Sequence, residues 1–362
     1  MTLYDILVKS ASAGIALMRG DGSMPPGCNG PYDDTETPVR NTAHWLITFA
    51  KAYDISGESR FSDVVERCAS YLVGENARPM GETFLCRSNP KKDFCNGLIG
   101  QAWVFEALRI ATDTLVDNRF IELAREVQSL HPFSHKLGLW RTVNVDGSYG
   151  SIDMTFNHQL WFAACSSLIS ENESETKKQI VSFMDKLDAV MKLRGNGRIA
   201  HPIPESAVKN RFVGGLKNFH RRFKTTREQL NFESEREIGY HQFNLYAFAI
   251  LKEKLPDNKF WESHKLQSIL RYIETDEYAI GIETSRFGYP YNPPGFECAY
   301  AILLFHDHFD EPDSLVIKWV TRQIIRCYDM ESCFMFLNSA DRMTSAARIY
   351  EATRLPDIEL EI

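Results

Sequence analysis

The amino-acid sequence predicts an all-α protein in which about six helical hairpins close into a ring, and three observations support this prediction. Apolar residues recur at helical spacing along nearly all of its 362 residues, whereas strand-like alternation is confined to residues 135–150. The predicted helices come in pairs, joined by short turns, that recur roughly every 50–60 residues. In each pair one helix is apolar on most faces and the other is amphipathic, which predicts two concentric layers.

Twelve helices are predicted in order along the chain. They cover 2–19, 37–56, 59–75, 94–114, 117–131, 154–171, 173–193, 238–255, 257–274, 294–310, 312–327 and 342–354. Short turns between antiparallel partners lie at 54–59, 113–118, 169–174 and 254–259. Longer connections, rich in Gly, Pro and aromatic residues, lie at 20–36, 76–93, 132–153, 194–237, 275–293 and 328–341. Residues 135–150 are expected to form a hairpin inside one of these connections.

The two helices of a pair are distinguished by where their charges fall. WLITFAKAY (45–53) and LIGQAWVFEALRIA (98–111) are apolar on nearly every face, whereas FSDVVERCASYLV (61–73) and FIELAREVQSL (120–130) carry many charges. Helices that are apolar all round are buried, and amphipathic helices cover them. We therefore expect an inner ring inside an outer ring, formed by a single domain over 1–362. All inner helices then begin at the same end, where the long connections also gather.

Composition excludes several classes of protein. The net charge of −7, from 41 basic and 48 acidic side chains, argues against nucleic acid as a partner. No run of about 18 apolar residues occurs, so no membrane span is expected. Eight scattered cysteines without a CxxC pair, and no basic leader, predict reduced thiols and a cytoplasmic location. Because no metal, phosphate-loop or dinucleotide motif is present, we expect neither a metal nor a cofactor.

Carboxylates, imidazoles, amides and flat aromatic rings gather where the inner helices open, and a sugar site needs this mixture. The candidate catalytic residues are Asp93, Asp153, His158, Glu237, His241 and Glu297. The candidate substrate-binding residues on these helices are Arg40, Asn41, His44, Asn96, Asn157, Trp161, Tyr240, Tyr291 and Asn292. Helix capping explains single Asp and Asn residues equally well, but capping does not require His, Tyr or Trp.

The connection 194–237 is basic, in contrast to the rest of the chain. Its stretch KNRFVGGLKNFHRRFKTTR (209–227) contains no acidic residue. One interpretation is a solvated loop. The other is a lid in which Arg221 and Arg222 bind a carboxylate or phosphate, with the two glycines as a hinge. This second interpretation predicts an acidic or carrier-linked sugar as substrate.

Three functions remain open from the residues alone. Hydrolysis of a glycosidic bond takes two carboxyl groups, here from Asp93, Asp153, Glu237 and Glu297. Epimerisation next to a carboxylate takes a proton shuttle instead, for which His158, His241, Tyr240 and Tyr291 are candidates. The third possibility is a glycan-binding protein without catalytic activity.

Four stretches carry a resemblance to a known group. NGPYDDTETPVRNTAHWLITF, DFCNGLIGQAWVFEAL, DMTFNHQLWFAA and YNPPGFECAYA resemble glucoamylase-like proteins of polysaccharide and glycan assembly gene clusters. Their six-hairpin (α/α)6 architecture is shared with unsaturated-glucuronyl hydrolases and N-acylglucosamine epimerases. The resemblance implies that Asp93 and Asp153 lie like the hydrolases' catalytic Asp, and that His158 and His241 lie like the epimerases' His. It implies a carbohydrate substrate, and we favour a glycoside hydrolase over an epimerase.

Overall fold

A ring of inner helices enclosed by outer helices is the architecture of the computed structural model, which describes residues 1–208 and 226–360. The helices of the first half are α1 (Leu3–Ile15), α2 (Val39–Ser56), α3 (Ser59–Val73), α4 (Gly97–Leu115), α5 (Arg119–Leu130), α6 (Phe156–Ile169), α7 (Glu175–Asp185), α8 (Leu187–Val190) and α9 (Glu205–Val208). Those of the second half are α10 (Arg227–Gly239), α11 (His241–Lys254), α12 (His264–Tyr272), α13 (Asp276–Thr284), α14 (Pro294–Leu304), α15 (Pro312–Cys327) and α16 (Arg342–Ala347). Short 3-10 helices lie at Gly30–Tyr32, Lys259–Glu262, His306–His308 and Arg348–Arg354.

The inner ring closes on itself. Helix α2 packs on α4, α4 on α6, α6 on α11 and α11 on α14, and the 3-10 helix Arg348–Arg354 packs between α14 and α2. Helices α1 and α3 cover α2 from outside, while α5, α7 and α15 cover α4, α6 and α14. The predicted all-α (α/α)6 toroid is therefore confirmed.

The burial of the two layers follows from their sequences. Fourteen of the 19 residues of α4 are buried, since it is surrounded by inner neighbours and by α5. Only seven of the 15 residues of α3 are buried, and its charged residues lie on the other face. Large buried rings fill the core: Trp45 lies against Gly14 of the outer helix α1, and Trp161 stacks on Phe243 of the inner helix α11.

Three α-helices in the described part of the chain lie where long connections were predicted, namely the single-turn α9 together with α10 and α13. Helix α10 (REQLNFESEREIG) has no continuous apolar face, so periodicity did not reveal it. Its start does carry a signal, because Thr226 and Gln229 form a capping box. Helix α13 is short, and Thr275 caps it through the Tyr278 amide. Consequently, the predicted basic loop 194–237 ends in a helix.

The strand-like stretch 135–150 contains the expected hairpin. Strands β1 (Phe133–Ser134), β2 (Leu139–Val143) and β3 (Tyr149–Ile152) form an antiparallel sheet in the order β1-β2-β3. It lies in the connection that leads into α6, so it helps to place the residues that open this inner helix. Among the residues that the structure describes, no helix has the length and apolar character to span a membrane.

Candidate active site

A cavity of about 190 Å³ opens at the N-terminal end of the inner ring. Cationic, imidazole and amide groups line it together with aromatic rings. The cationic groups are Arg40, Arg87, Lys92, Arg236 and Arg348, the imidazoles are His158 and His201, and the amides are Asn29, Asn96, Asn157 and Asn292. The rings are Tyr32, Trp103, Tyr240, Phe243 and Tyr291. No Asp or Glu of the described residues lines this cavity, although the chain as a whole is acidic.

An Asp–His pair lies at one side of the cavity, where α6 begins. Oδ2 of Asp153 is 2.8 Å from Nδ1 of His158. The carboxylate also accepts the amide N–H groups of Thr155 at 3.0 Å and Leu98 at 3.3 Å. Burial alone would raise the pKa of Asp153, but His158 and these amides lower it to about 2. Asp153 is therefore an ionised group that orients the imidazole and leaves its Nε2 for the cavity.

The second imidazole was missed by the sequence analysis, which placed it in a connection. His201 lies beside α6 because its carbonyl accepts the Phe156 amide at 2.9 Å, and its ring centroid is 5.4 Å from that of Tyr240. Burial and the nearby charges of Arg236 and His158 hold the pKa of His201 well below its usual value. This imidazole is neutral at neutral pH, as a general base must be.

Arg40 forms part of the cavity wall and is almost completely buried. Its Nη1 donates to Glu36 Oε1 at 3.1 Å and to Tyr291 Oη at 3.3 Å. Its Cζ lies 4.1 Å from the ring centroid of Trp103, a stacking arrangement that suits a planar guanidinium. Burial favours loss of the proton, but Glu36 and Tyr291 keep the pKa of Arg40 above its usual range.

The guanidinium group of Arg348 contacts the side chains of two buried glutamates. Its Nη2 is 2.7 Å from Glu297 Oε1 and 2.6 Å from Glu351 Oε1, and it also binds Asn292. Burial and the charge of Glu351 raise the pKa of Glu297 well above its usual value. One guanidinium cannot neutralise two buried carboxylates, so this pair retains a proton. Glu297 therefore supports Arg348 from behind and does not line the cavity.

Several predicted site residues lie away from the cavity. Glu237 faces away from it and binds Arg194 and Arg198. His241 is buried, with Nε2 2.9 Å from the Ile269 carbonyl, and burial lowers its pKa to about 4. Asp93 binds Arg87 at 2.6 Å. These positions are at the openings of inner helices, as expected, but a helix presents only one face to the cavity.

Of the remaining predicted residues, some are packed in the protein interior and others line the cavity. His44 is stacked on Tyr350 at 4.1 Å inside the barrel, and Trp161 donates its Nε1–H to the Phe243 carbonyl at 3.1 Å. Asn41 donates to the Pro25 carbonyl at 2.8 Å. The predicted residues that do line the cavity are Arg40, Asn96, Asn157, His158, Tyr240, Tyr291 and Asn292. Arg221 and Arg222 lie outside the described residues.

Metal-ligand residue types are not concentrated anywhere in the described ranges. Within 1–208 and 226–360, no group of three His, Cys, Asp or Glu side chains is placed to hold a metal ion. What the cavity offers instead is two imidazoles in a cationic and amide-rich wall.

Comparisons with known proteins find one relative in sequence and several similar folds. No family model matches the chain. The chain is 41% identical to the archaeal glycosylation protein Q of Haloferax volcanii, with 99% of each protein covered. Among solved structures, a D-mannose isomerase has a TM-score of 0.68 at 11% identity, covering 97% of this chain and 95% of that one.

Two further structures are similar in the same way. The cellobiose 2-epimerase of Bacillus thermoamylovorans has a TM-score of 0.65 at 10% identity, with 95% of each chain covered. An unsaturated glucuronyl hydrolase specific for heparin has a TM-score of 0.60 at 12% identity, covering 97% of this chain and 96% of that one. At such low identity these similarities establish the fold alone. They confirm the predicted resemblance to six-hairpin, glycosidase-like enzymes.

Proposed function

The chain belongs to the family of the archaeal glycosylation protein Q, and from this premise we propose that it is a sugar isomerase or epimerase. Its reaction moves a proton at a carbon atom of an anionic sugar that is used in glycan assembly. The observation that carries this proposal is the pair of imidazoles in one cavity, His158 and His201, of which only His158 is bound to a carboxylate of the described residues.

The two imidazoles suit opposite steps of a proton transfer. His201 is held neutral, so its free nitrogen can take a proton from the carbon next to a carbonyl group. The electron pair of that C–H bond then forms a carbon–carbon double bond, and the carbonyl electrons move onto oxygen. His158, which is hydrogen-bonded to Asp153, donates a proton to carbon. Donation to the same carbon re-forms the original carbonyl and gives an epimer. Donation to the former carbonyl carbon gives an isomer, provided that the hydroxyl on the first carbon passes its proton to the enediolate oxygen and becomes the new carbonyl.

The cationic wall suits the charge that develops during this reaction. Negative charge on the enediolate oxygen is stabilised by guanidinium groups that are already in place, such as Arg40 and Arg348. Arg236 is available as well, because it has no ion pair with any described carboxylate. A sugar that carries a carboxylate or a phosphate fits these groups, since a guanidinium binds either one through two hydrogen bonds.

Hydrolysis by paired carboxylates has weaker support from this geometry. A glycosidase needs one protonated carboxyl group. Burial opposes ionisation of Asp93, but Arg87 and the Gly97 amide lower its pKa, and the pKa of Asp153 is also lowered. Both groups are therefore ionised at neutral pH and hydrogen-bonded within the protein. The favoured hydrolase prediction thus remains a prediction, without a protonated carboxyl group among the described residues that line this cavity.

Deuterium exchange tests the proposed reaction directly. The protein is incubated in heavy water with D-glucuronate, D-galacturonate, D-mannuronate, D-glucose 6-phosphate and D-mannose 6-phosphate, and the sugars are followed by NMR. We expect deuterium at carbon and a second sugar from at least one of them. The variants His158→Asn and His201→Asn should lose both signals, and the exposed control His264→Asn should keep them. No exchange with any sugar, together with cleavage of 4-nitrophenyl glucuronides, would overturn the proposal in favour of hydrolysis.

A further inference from the structure

The tripeptide Cys-Asn-Gly occurs twice at the cavity, as residues 28–30 and 95–97. Both asparagines line the cavity, one in front of the 3-10 helix Gly30–Tyr32 and the other in front of α4. Their φ angles are 56° for Asn29 and 57° for Asn96, and those of the following glycines are 55° and 57°. The chain therefore builds the same left-handed turn at two places in the cavity wall.

Each turn is held by one aspartate. Oδ2 of Asp341 accepts the amide N–H groups of Cys28 at 2.6 Å and Gly30 at 3.3 Å. In the second turn, Oδ1 of Asp93 accepts the Gly97 amide at 2.8 Å and the Cys95 thiol at 3.2 Å. The predicted catalytic residue Asp93 therefore has a positioning role in this arrangement.

Glycine is needed at the third position of both turns. A Cβ on Gly30 would lie 2.1 Å from the Tyr291 ring, and a Cβ on Gly97 would lie 2.6 Å from Asp153 Oδ2. Asparagine is among the few residues that adopt positive φ at low cost. Each turn consequently fixes an asparagine side chain close to the groups that the proposed reaction uses.

The two amides have hydrogen-bonding groups left over. Arg40 can only donate, so the Asn29 atom at 3.3 Å from it must be the amide oxygen, which also accepts from Tyr291 at 2.6 Å. No described residue accepts from the Asn29 Nδ2. The Asn96 side chain has no hydrogen-bond partner in the described chain, although it is only 5% exposed. These free amide atoms are not sealed inside the protein but open to the cavity, where a bound ligand can supply their hydrogen-bond partners.

We propose that Asn29 and Asn96 form a hydroxyl clamp that selects the sugar by the position of its hydroxyl groups. Asn29 offers two N–H donors, and Asn96 offers both a carbonyl oxygen and donors, so together they can read neighbouring hydroxyls. The clamp depends on the proposed function only because the ligand is taken to be an anionic sugar. The two asparagines take no part in the proton transfer.

Asparagine-to-glycine variants test the contribution of the side-chain amide without changing the turn. Glycine adopts positive φ freely, so Asn29→Gly and Asn96→Gly keep the backbone and remove only the side chain. The matched control is Asn338→Gly, because Asn338 also has a positive φ of 49° but is exposed and away from the cavity. Calorimetric titration uses whichever of the five sugars named for the exchange experiment binds the wild-type protein most tightly. We expect about tenfold weaker binding for each clamp variant, the loss expected for one or two hydrogen bonds, and unchanged binding for the control.

The outcomes distinguish the clamp from the reaction. If deuterium exchange occurs but both glycine variants bind as the wild type does, the clamp is wrong and the reaction stands. If the variants bind weakly but no exchange occurs, the clamp stands and the reaction is wrong. If none of the five sugars binds the wild type, both are wrong. Should a glycine variant not fold, Asn29→Asp and Asn96→Asp provide the same comparison, because they keep the turn and place a carboxylate against the anionic sugar.

Discussion

The Nδ1 atom of His158 lies 2.8 Å from Oδ2 of Asp153, at the point where α6 enters the cavity. Two backbone amides also donate to the carboxylate, one to each oxygen, so its position does not depend on the imidazole alone. An aspartate held in this way fixes both the tautomer and the orientation of its histidine.

Replacing the carboxylate with an amide should disable catalysis with little effect on binding. In Asp153→Asn the side chain can donate to Nδ1, which favours the wrong tautomer of His158, and the negative charge beside the imidazole is lost. We expect kcat to fall by about 10²-fold or more, with KM changed only slightly. Steady-state kinetics check this, with the exposed Asp146→Asn as the control. An equal loss in both variants, or none in Asp153→Asn, would contradict the assigned role.

The close packing of Gly97 behind the pair gives a second prediction. In Gly97→Ala the new Cβ would lie 2.6 Å from Asp153 Oδ2 and 3.0 Å from His158 Nδ1, so the pair must move. Gly57→Ala is the matched control, because Gly57 has a φ of 69° but a Cβ there would meet nothing within 4 Å. Both variants should lose roughly 1 kcal/mol of stability to backbone strain, but only Gly97→Ala should lose activity.

Urea unfolding and exchange rates measure these two effects separately. Equal activity in the two variants would show that the pair tolerates the displacement, and the role of Gly97 would then be limited to its turn.

The toroid could be predicted from the sequence because burial by layers leaves a strong periodic signal. Helix α4 is apolar on nearly all faces and α3 on one, which places one inside and the other outside. Helix α10 left no such signal, since its residues are mostly polar and its position depends on contacts with distant elements. The sequence feature that indicates this helix is the capping box that begins at Thr226.

The site was harder to predict, because the sequence does not give the direction of a side chain. His158 and His241 both stand near the start of inner helices, yet one lines the cavity and the other binds the Ile269 carbonyl. His201 lies in a connection without periodicity and is placed at the site by its backbone pairing with the start of α6. The repeated Cys-Asn-Gly was visible in the sequence, but its meaning depends on the positive φ angles of both turns.

The acid pair behind Arg348 predicts two very different mutational costs. Arg348→Met leaves Glu297 and Glu351 buried without their cation, and such a loss typically costs about 3–5 kcal/mol, so we expect a decrease of this size in the free energy of unfolding. Glu297→Gln should cost less than about 1 kcal/mol, because glutamine resembles the protonated carboxyl that the pair already contains. Urea unfolding at pH 7 measures both. If Glu297→Gln were as destabilising as Arg348→Met, both acids would have to be ionised.

Stability should fall in mild acid because of buried neutral histidines. Burial lowers the pKa of His131 and of His241 to about 4, whereas an unfolded histidine titrates near pH 6.5. As the pH falls through 6.5, the unfolded chain therefore takes up protons that the folded chain does not, and the free energy of unfolding decreases. Each of these histidines contributes about 2 kcal/mol to the difference between pH 7.5 and pH 5.

The variant His241→Gln isolates one of these contributions. Its unfolding free energy is lower at every pH, because the hydrogen bonds to Ile199 and Ile269 are altered. The informative quantity is the difference between pH 7.5 and pH 5, which should shrink by about 2 kcal/mol relative to the wild type since glutamine does not titrate. His264→Gln, at an exposed position, should leave that difference as it is. An unchanged difference in His241→Gln would mean that the folded protein accommodates a charged His241, contrary to its buried contact with the Ile269 carbonyl.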